Sequence, residues 1–301
     1  MRARLAQRLD VRVFECSEER SPDACARDAL AGGAELVIAA GGDGTVSAVA
    51  SALVGGQAVL GVIPRGTANS FAEALEIPTD VEQALETVLD GETVTVDSAR
   101  AQGKPMILHA SVGFHAAVVT GTSSESKSRF GVLAYLAKAL ERVSGSKWFR
   151  VELETDTMRL TCRAHNITVA SVAPPSTLLA QGPTILLPDD GTLDVTIVAA
   201  EGLAQAVATG LHLYRAASRQ QAADHPNVAY FPCKRVQIDT DPPQALMIDG
   251  EDAGEGRLVV QCIPSSLRVK VPHGATWRTK TRGPEANLTG LPGLRVKPLA
   301  T

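Results

Sequence analysis

Short apolar runs alternate with longer amphipathic stretches over the first hundred residues of this 301-residue chain. Leu36-Val37-Ile38-Ala39-Ala40 is an uninterrupted apolar run followed by glycines, the pattern of a buried strand. Ala58-Val59-Leu60-Gly61-Val62-Ile63 repeats that pattern, and Val11-Arg12-Val13-Phe14 reads as a further short strand. Helical patterns lie between and after them. Ser21-Pro22-Asp23 supplies a cap, a proline at the first helical position and a first-turn acid for a helix that stops at Gly32-Gly33. Thr45 opens a second helical run, Val46–Leu53, which stops at Gly55-Gly56, and a third follows the Thr79-Asp80 cap from Val81 to Leu89. Strands separated by helices of this length predict βαβ units on a parallel sheet.

Beyond about residue 98 the texture changes. Met106–Val112, Arg150–Glu154, Met158–Val172, Leu193–Ala199, Val228–Asp239, Arg257–Cys262 and Leu267–Val271 are β-rich and predict an antiparallel sandwich. Helical patterns near Val132–Arg142 and Leu203–Arg219 interrupt them. The expected fold is thus an α/β domain with a parallel sheet over residues 1–97, a β-rich antiparallel sandwich domain over 98–274, and a tail over 275–301 that is flexible or packs back on the first domain.

Composition narrows the function classes. A net charge of -4 gives no support to nucleic-acid binding, and five scattered cysteines without a C-x-x-C pair suggest reduced thiols in a cytoplasmic protein. No apolar run approaches the length that spans a bilayer. The six histidines show no metal-ligand spacing.

The chemistry concentrates in two turns. Gly41-Gly42-Asp43-Gly44-Thr45 leaves a buried strand and enters a helix, a natural phosphate seat because glycine admits close backbone approach and the helix dipole favours an anion. Asp43 repels phosphate, so its work there is to meet a magnesium ion or to orient a donor. Pro64-Arg65-Gly66-Thr67-Ala68-Asn69-Ser70-Phe71-Ala72 also follows a buried strand. Two such turns at the carboxyl ends of parallel strands face one crevice, where open α/β sheets bind ligands. Asp189-Asp190-Gly191-Thr192, taken alone, reads equally well as a plain Asp-Gly turn, and Asp249-Gly250-Glu251, taken alone, reads sooner as a plain hairpin turn with Glu251 solvated on its edge.

Together, Gly41–Thr45, Pro64–Ala72 and the late Asp249-Gly250-Glu251 resemble the diacylglycerol-kinase catalytic-domain family, which includes bacterial lipid kinases and sphingosine kinases. Weaker matches are Ser111-Val112-Gly113-Phe114 and the Asp189–Asp194 turn, so the resemblance runs from about residue 11 to 272. It implies an NAD-kinase/phosphofructokinase-like nucleotide domain and a β-sandwich that receives the lipid. The implied activity is ATP- and Mg2+-dependent phosphorylation of a hydroxyl on diacylglycerol or a related lipid alcohol.

The resemblance also assigns residues. Gly41, Gly42, Asp43, Gly44, Thr45, Val46, Ser47, Gly66, Thr67 and Asn69 contact ATP, with Asp43 helping to hold magnesium at its phosphates. Glu251 is the proton acceptor, with Asp249 beside it. A second, structural magnesium is implied at Asp190 with the carbonyls of Leu187 and Thr192, a ligand set that suits a hard cation.

Departures from the family pattern open other readings. Family members begin about two dozen residues earlier, with a strand and an N-P-x-S-G-like loop, so a first strand is expected to be missing here. Val46-Ser47-Ala48 stands where Val-Asn-Glu is usual. A catalytically impaired lipid- or nucleotide-binding regulatory homologue is therefore one alternative, and an NAD-kinase-type enzyme with a soluble substrate is another. Lys127–Phe130 with the amphipathic Gly131–Val143, and Trp277, Arg278, Lys280 and Arg282 in the tail, are candidates for peripheral contact with the inner face of the cell membrane. Oligomeric state is left open.

Overall fold

A computed structural model describes residues 1–113, 148–180, 182, 186–200, 202–219, 221–280 and 286–299. The Gly131–Val143 stretch, His115 and Arg282 lie outside the described residues.

The first hundred residues build the expected alternation. After α1 (Arg2–Leu5) and α2 (Pro22–Ala31) come β1 (Leu36–Gly41), α3 (Asp43–Leu53), β2 (Val59–Pro64), α4 (Ser70–Ala74), α5 (Val81–Asp90) and β3 (Glu92–Ala101). β1 and β2 pair in parallel, from Leu36 opposite Val59 to Gly41 opposite Pro64. Alternation along β2 sorts its side chains. Leu60 and Val62 pack with Val46, Val49, Ala50 and Leu53 of α3, whereas Ile63 packs with Ala84, Leu85 and Val88 of α5. Asp80 caps α5 by accepting from the Glu82 and Gln83 amides at 3.1 and 3.0 Å.

Val11–Phe14 is not a strand. Val13 is exposed, and the backbone of residues 11–14 joins no ladder, while β1 pairs only with β2 among the described strands. Four residues have too little apolar surface to order themselves where no pairing edge holds them.

The remaining elements are β4 (Lys104–Met106), β5 (His109–Gly113), β6 (Phe149–Thr155), β7 (Met158–Ala164), β8 (Asn166–Ala170), β9 (Leu193–Val198), α6 (Gly202–Arg219), β10 (Val228–Cys233), β11 (Arg235–Asp241), β12 (Ala245–Ile248), β13 (Glu251–Glu255), β14 (Leu258–Val271) and β15 (Arg295–Pro298). They form two sheets. One is antiparallel throughout, with the order β10-β9-β8-β5-β12-β13; the other is mixed, with the order β1-β2-β14-β11-β6-β7-β15 and β3 beside β14. Side chains from both sheets, among them Phe149, Leu153, Val236, Ile167, Ile197 and Phe231, close one sandwich core.

Two features escape a reading by period. Met158–Val172 and Val228–Asp239 each look continuous, yet each breaks at one residue, His165 or Lys234. There the chain passes from one sheet to the other, the corner expected of packed sheets. Conversely, Leu258–Cys262 of the first stretch and Leu267–Val271 belong to the single strand β14, whose pairing with β3 shifts register between Ile263 and Leu267. The lower half of β14 pairs with β11, and its upper half runs parallel to β2. β14 and β3 thus continue through both halves of the molecule, and residue 97 lies within β3.

The tail is packed. Trp277 is 4% exposed within the core that includes Val46 and Phe71, so it is not available to a bilayer. Arg278 is held by Glu92, and β15 pairs with β7. Among the described residues no helix is long and apolar enough to cross a membrane. Burial pushes the Cys162 and Cys262 thiols up to about 12, so they stay protonated.

Candidate functional site

The parallel register places Gly41 and Pro64 side by side, so both turns leave the sheet at the same level. The Arg65 amide donates to the Gly41 carbonyl at 2.9 Å, which carries the pairing one residue past the strands. The turns then touch through backbone. A Cβ on Gly66 would lie 2.6 Å from the Gly42 Cα, and one on Gly41 would lie 2.6 Å from the Thr45 side chain. Glycine is required here for close approach. Gly66→Ala is therefore expected to destabilise the fold by roughly 1–3 kcal/mol, as overpacking does, because backbone rather than a flexible side chain must yield. Chemical denaturation checks it, and nucleotide affinity measured by titration is expected to fall with it.

α3 begins immediately after this contact, with Gly42 as its N-cap and no side-chain cap. The first intrahelical bond runs from the Val46 amide to the Gly42 carbonyl at 3.0 Å. The Asp43, Gly44 and Thr45 amides of the first turn have no intrahelical acceptor, and they add to the positive end of an eleven-residue helix. That is an anion seat by construction.

The polar side chains of the two turns divide their work. Asn69, in the left-handed region at φ 51°, folds the second turn: its Oδ1 accepts from the Gly66 amide at 2.8 Å and its Nδ2 donates to the Gly66 carbonyl at 2.9 Å. Asp43 Oδ1 accepts from the Phe71 amide at 3.1 Å and so braces the second turn from the first. Thr67 is exposed.

The late acidic triplet reaches the same place from the other sheet. Ile248 pairs with Glu251, so Asp249 and Gly250 are a two-residue hairpin loop, with φ of 50° and 88° as a type I′ turn needs. Asp249 points inward and is 8% exposed. Its Oδ2 accepts from the Ser47 hydroxyl at 2.6 Å and the Ile107 amide at 2.9 Å; its Oδ1 accepts from the Leu108 amide at 2.9 Å and the His109 amide at 3.2 Å. Burial pushes this carboxyl upward, opposed by those four hydrogen bonds, which favour its charged form. Glu251 opens β13 and is exposed. The structure therefore brings Gly41–Ser47, Gly66–Asn69 and Asp249–Glu251 together, with Ser47 on α3 as the direct link.

The acidic turn at residues 187–192 lies apart from those bonds. Asp190 Oδ1 accepts from the Thr192 amide at 3.0 Å and the Thr192 hydroxyl at 2.7 Å. Asp97, 2% exposed on β3, accepts from the Gly191 amide at 2.6 Å and from the Ser265 amide at 2.7 Å in the register shift of β14. Burial, then repulsion by Asp190, pushes the Asp97 carboxyl up; burial, then Asp97 and Asp190, do the same for Asp189. Among the described residues no three His, Cys, Asp or Glu side chains gather as a ligand set. The expected site needs only one carboxylate and two carbonyls, and mutual repulsion of Asp97, Asp189 and Asp190 is what a cation relieves, so the donor set fits.

Two participants escaped sequence reasoning. The amides of Ile107–His109 carry no side-chain signal at all. Asp97 carried a misleading one: in the alternating run Thr93-Val94-Thr95-Val96-Asp97 it falls on the face of the exposed threonines, yet it is buried.

Both parts of the chain match known protein families. Residues 1–101 match the model of the diacylglycerol kinase catalytic domain, and residues 108–271 match that of the YegS C-terminal NAD kinase beta sandwich-like domain. An uncharacterized Synechocystis protein, sll0036, is 38% identical over 80% of this chain and 55% of its own length, so the chain spans little more than half of that relative. A diacylglycerol kinase from Staphylococcus epidermidis is 32% identical over 73% of this chain and 69% of its own. The crystal structure of a diacylglycerol kinase from Bacillus anthracis superposes with a TM-score of 0.66 at 17% identity, covering 88% of this chain and 85% of that one, which speaks for the fold.

Proposed function

The chain belongs to the diacylglycerol kinase catalytic-domain family, and from that premise we propose that it transfers the γ-phosphoryl group of ATP to the hydroxyl of diacylglycerol or a related lipid alcohol. One observation carries the reading: two glycine turns in backbone contact, with an uncapped helix N-terminus, are bonded through Ser47 to the hairpin that presents Glu251. The first-turn amides of α3 receive phosphate oxygens, and Gly42 and Gly66 let the nucleotide approach the backbone. Thr67 offers an exposed hydroxyl at the second turn. Glu251 takes the proton from the lipid hydroxyl as its oxygen bonds to the γ-phosphorus and the bond to ADP breaks. Asp43 would hold Mg2+ at the phosphates, where the ion would supply charge neutralisation. Asp190, with the Leu187 and Thr192 carbonyls, would hold a second Mg2+ that keeps the 187–192 turn against β3.

The membrane supplies the substrate, so contact with a lipid surface is part of this reading. Its test is transfer of labelled γ-phosphate from ATP to a panel of lipid alcohols in mixed micelles. Wild-type protein is expected to label at least one lipid, and Asp43→Asn to lower that rate at least tenfold. Labelling of NAD alone would instead identify a soluble-substrate kinase. Nucleotide or lipid binding without any turnover would identify a regulatory homologue.

A further inference from the structure

The Ser47–Asp249 hydrogen bond joins residues 202 positions apart and is among the few polar links between α3 and the six-stranded sheet. Ser47 lies four residues after Asp43 on α3, hence on the same helix face one turn further on. Asp249 lies two residues before Glu251, and its loop has no slack, because both loop residues hold positive φ between directly paired strand ends. Three of the four donors to Asp249 are backbone amides of one short segment, Ile107–His109, which also receives the Asp249 amide at the His109 carbonyl, 2.9 Å. Those bonds anchor the hairpin to its own sheet. Ile107 and Leu108 share a core with α3, and among the described residues the Ser47 hydroxyl supplies the direct hydrogen bond from α3 to the hairpin.

We propose that Ser47 is a positioning residue: through Asp249 it sets where the Glu251 carboxylate stands relative to the phosphates seated on α3. This rests on the kinase reading of the site. Loss of the hydroxyl leaves the hairpin anchored by three amides but free to shift against α3, and a displacement near 1 Å is worth about a hundredfold in rate when groups must meet in line. The resemblance counts Ser47 among the ATP contacts, but its hydroxyl is donated to Asp249, so its removal is expected to act on turnover more than on nucleotide affinity.

The test compares wild type with Ser47→Ala and Ser47→Thr in the lipid kinase assay, alongside hydrogen-exchange mass spectrometry with and without Mg-ATP. Ser47→Ala is expected to lower kcat tenfold to a hundredfold with KM for ATP changed less than threefold, and Ser47→Thr to recover most of it. Mg-ATP is expected to slow exchange at residues 41–47 in both wild type and Ser47→Ala, but at 245–255 in wild type alone. Unchanged kcat in Ser47→Ala, or equal protection of 245–255 in both, overturns the inference. If wild type phosphorylates no lipid, the kinase reading fails while exchange still judges the link: faster basal exchange at 245–255 in Ser47→Ala supports it, and unchanged exchange overturns it.

Discussion

Replacing Asp249 with alanine is expected to cost the protein about 4 kcal/mol or more, because three backbone amides and the Ser47 hydroxyl lose their acceptor together, at about 1–3 kcal/mol for each group left unsatisfied. Against a total stability of ~5–15 kcal/mol this is the most damaging single change at the site. The thermal midpoint is expected to fall by roughly 10 °C, at about 2–4 °C per kcal/mol for a chain of this size. Asp249→Asn separates charge from acceptor count. One amide oxygen still serves Leu108 and His109, and the Ser47 hydroxyl can turn to accept from the new NH2. The Ile107 amide, however, meets a donor where it met an oxygen. A loss of about 1–3 kcal/mol is expected, between wild type and alanine. Scanning calorimetry of the three proteins gives the order; equal midpoints for wild type and Asp249→Ala would show that the four hydrogen bonds contribute nothing.

Glu251→Gln is expected to do the opposite. Its side chain is exposed, so stability stays within about 0.5 kcal/mol of wild type. Glutamine cannot accept the proton of the attacking hydroxyl, and a positioned base is worth ~10²–10⁴ in rate. The expected outcome is a loss of kcat in that range with KM for ATP little changed, read in the lipid phosphorylation assay. Full turnover by Glu251→Gln would remove this residue from the chemistry. Two acids separated by one glycine thus have opposite signatures, one in the melting curve and one in the rate.

The sequence made part of this visible. β1, β2, α2, α3 and α5 were legible because each carries its own period and its own boundary signal, such as the Gly32-Gly33 stop or the Asp80 cap. The α/β and β-sandwich classes followed from them. The corners at His165 and Lys234 were not legible, because neither carries a turn residue and both flanks keep strand character. Val11–Phe14 has strand composition, but composition cannot supply the pairing partner that makes a strand. The glycine turns announced the close backbone approach of Gly42 and Gly66. What holds the hairpin of Asp249 in place did not announce itself, since most of its donors are backbone amides and the remaining one is an ordinary serine. Asn69 is the converse case, a polar side chain in a motif whose two bonds to Gly66 fold its own turn.

The continuous β3–β14 pair also bears on how the chain acquires its structure during synthesis. β2 has β1 on one side and Arg268-Val269 of β14 on the other, a partner more than 200 positions downstream. While the ribosome is still adding α6, the nucleotide half has two strands and an unfilled edge, and β3 waits without its neighbour. Contacts of such sequence separation make folding slow and leave strand edges exposed meanwhile. The first third of the polypeptide emerges first and yet is completed among the last, so it is the part that nascent-chain chaperones would have to shelter.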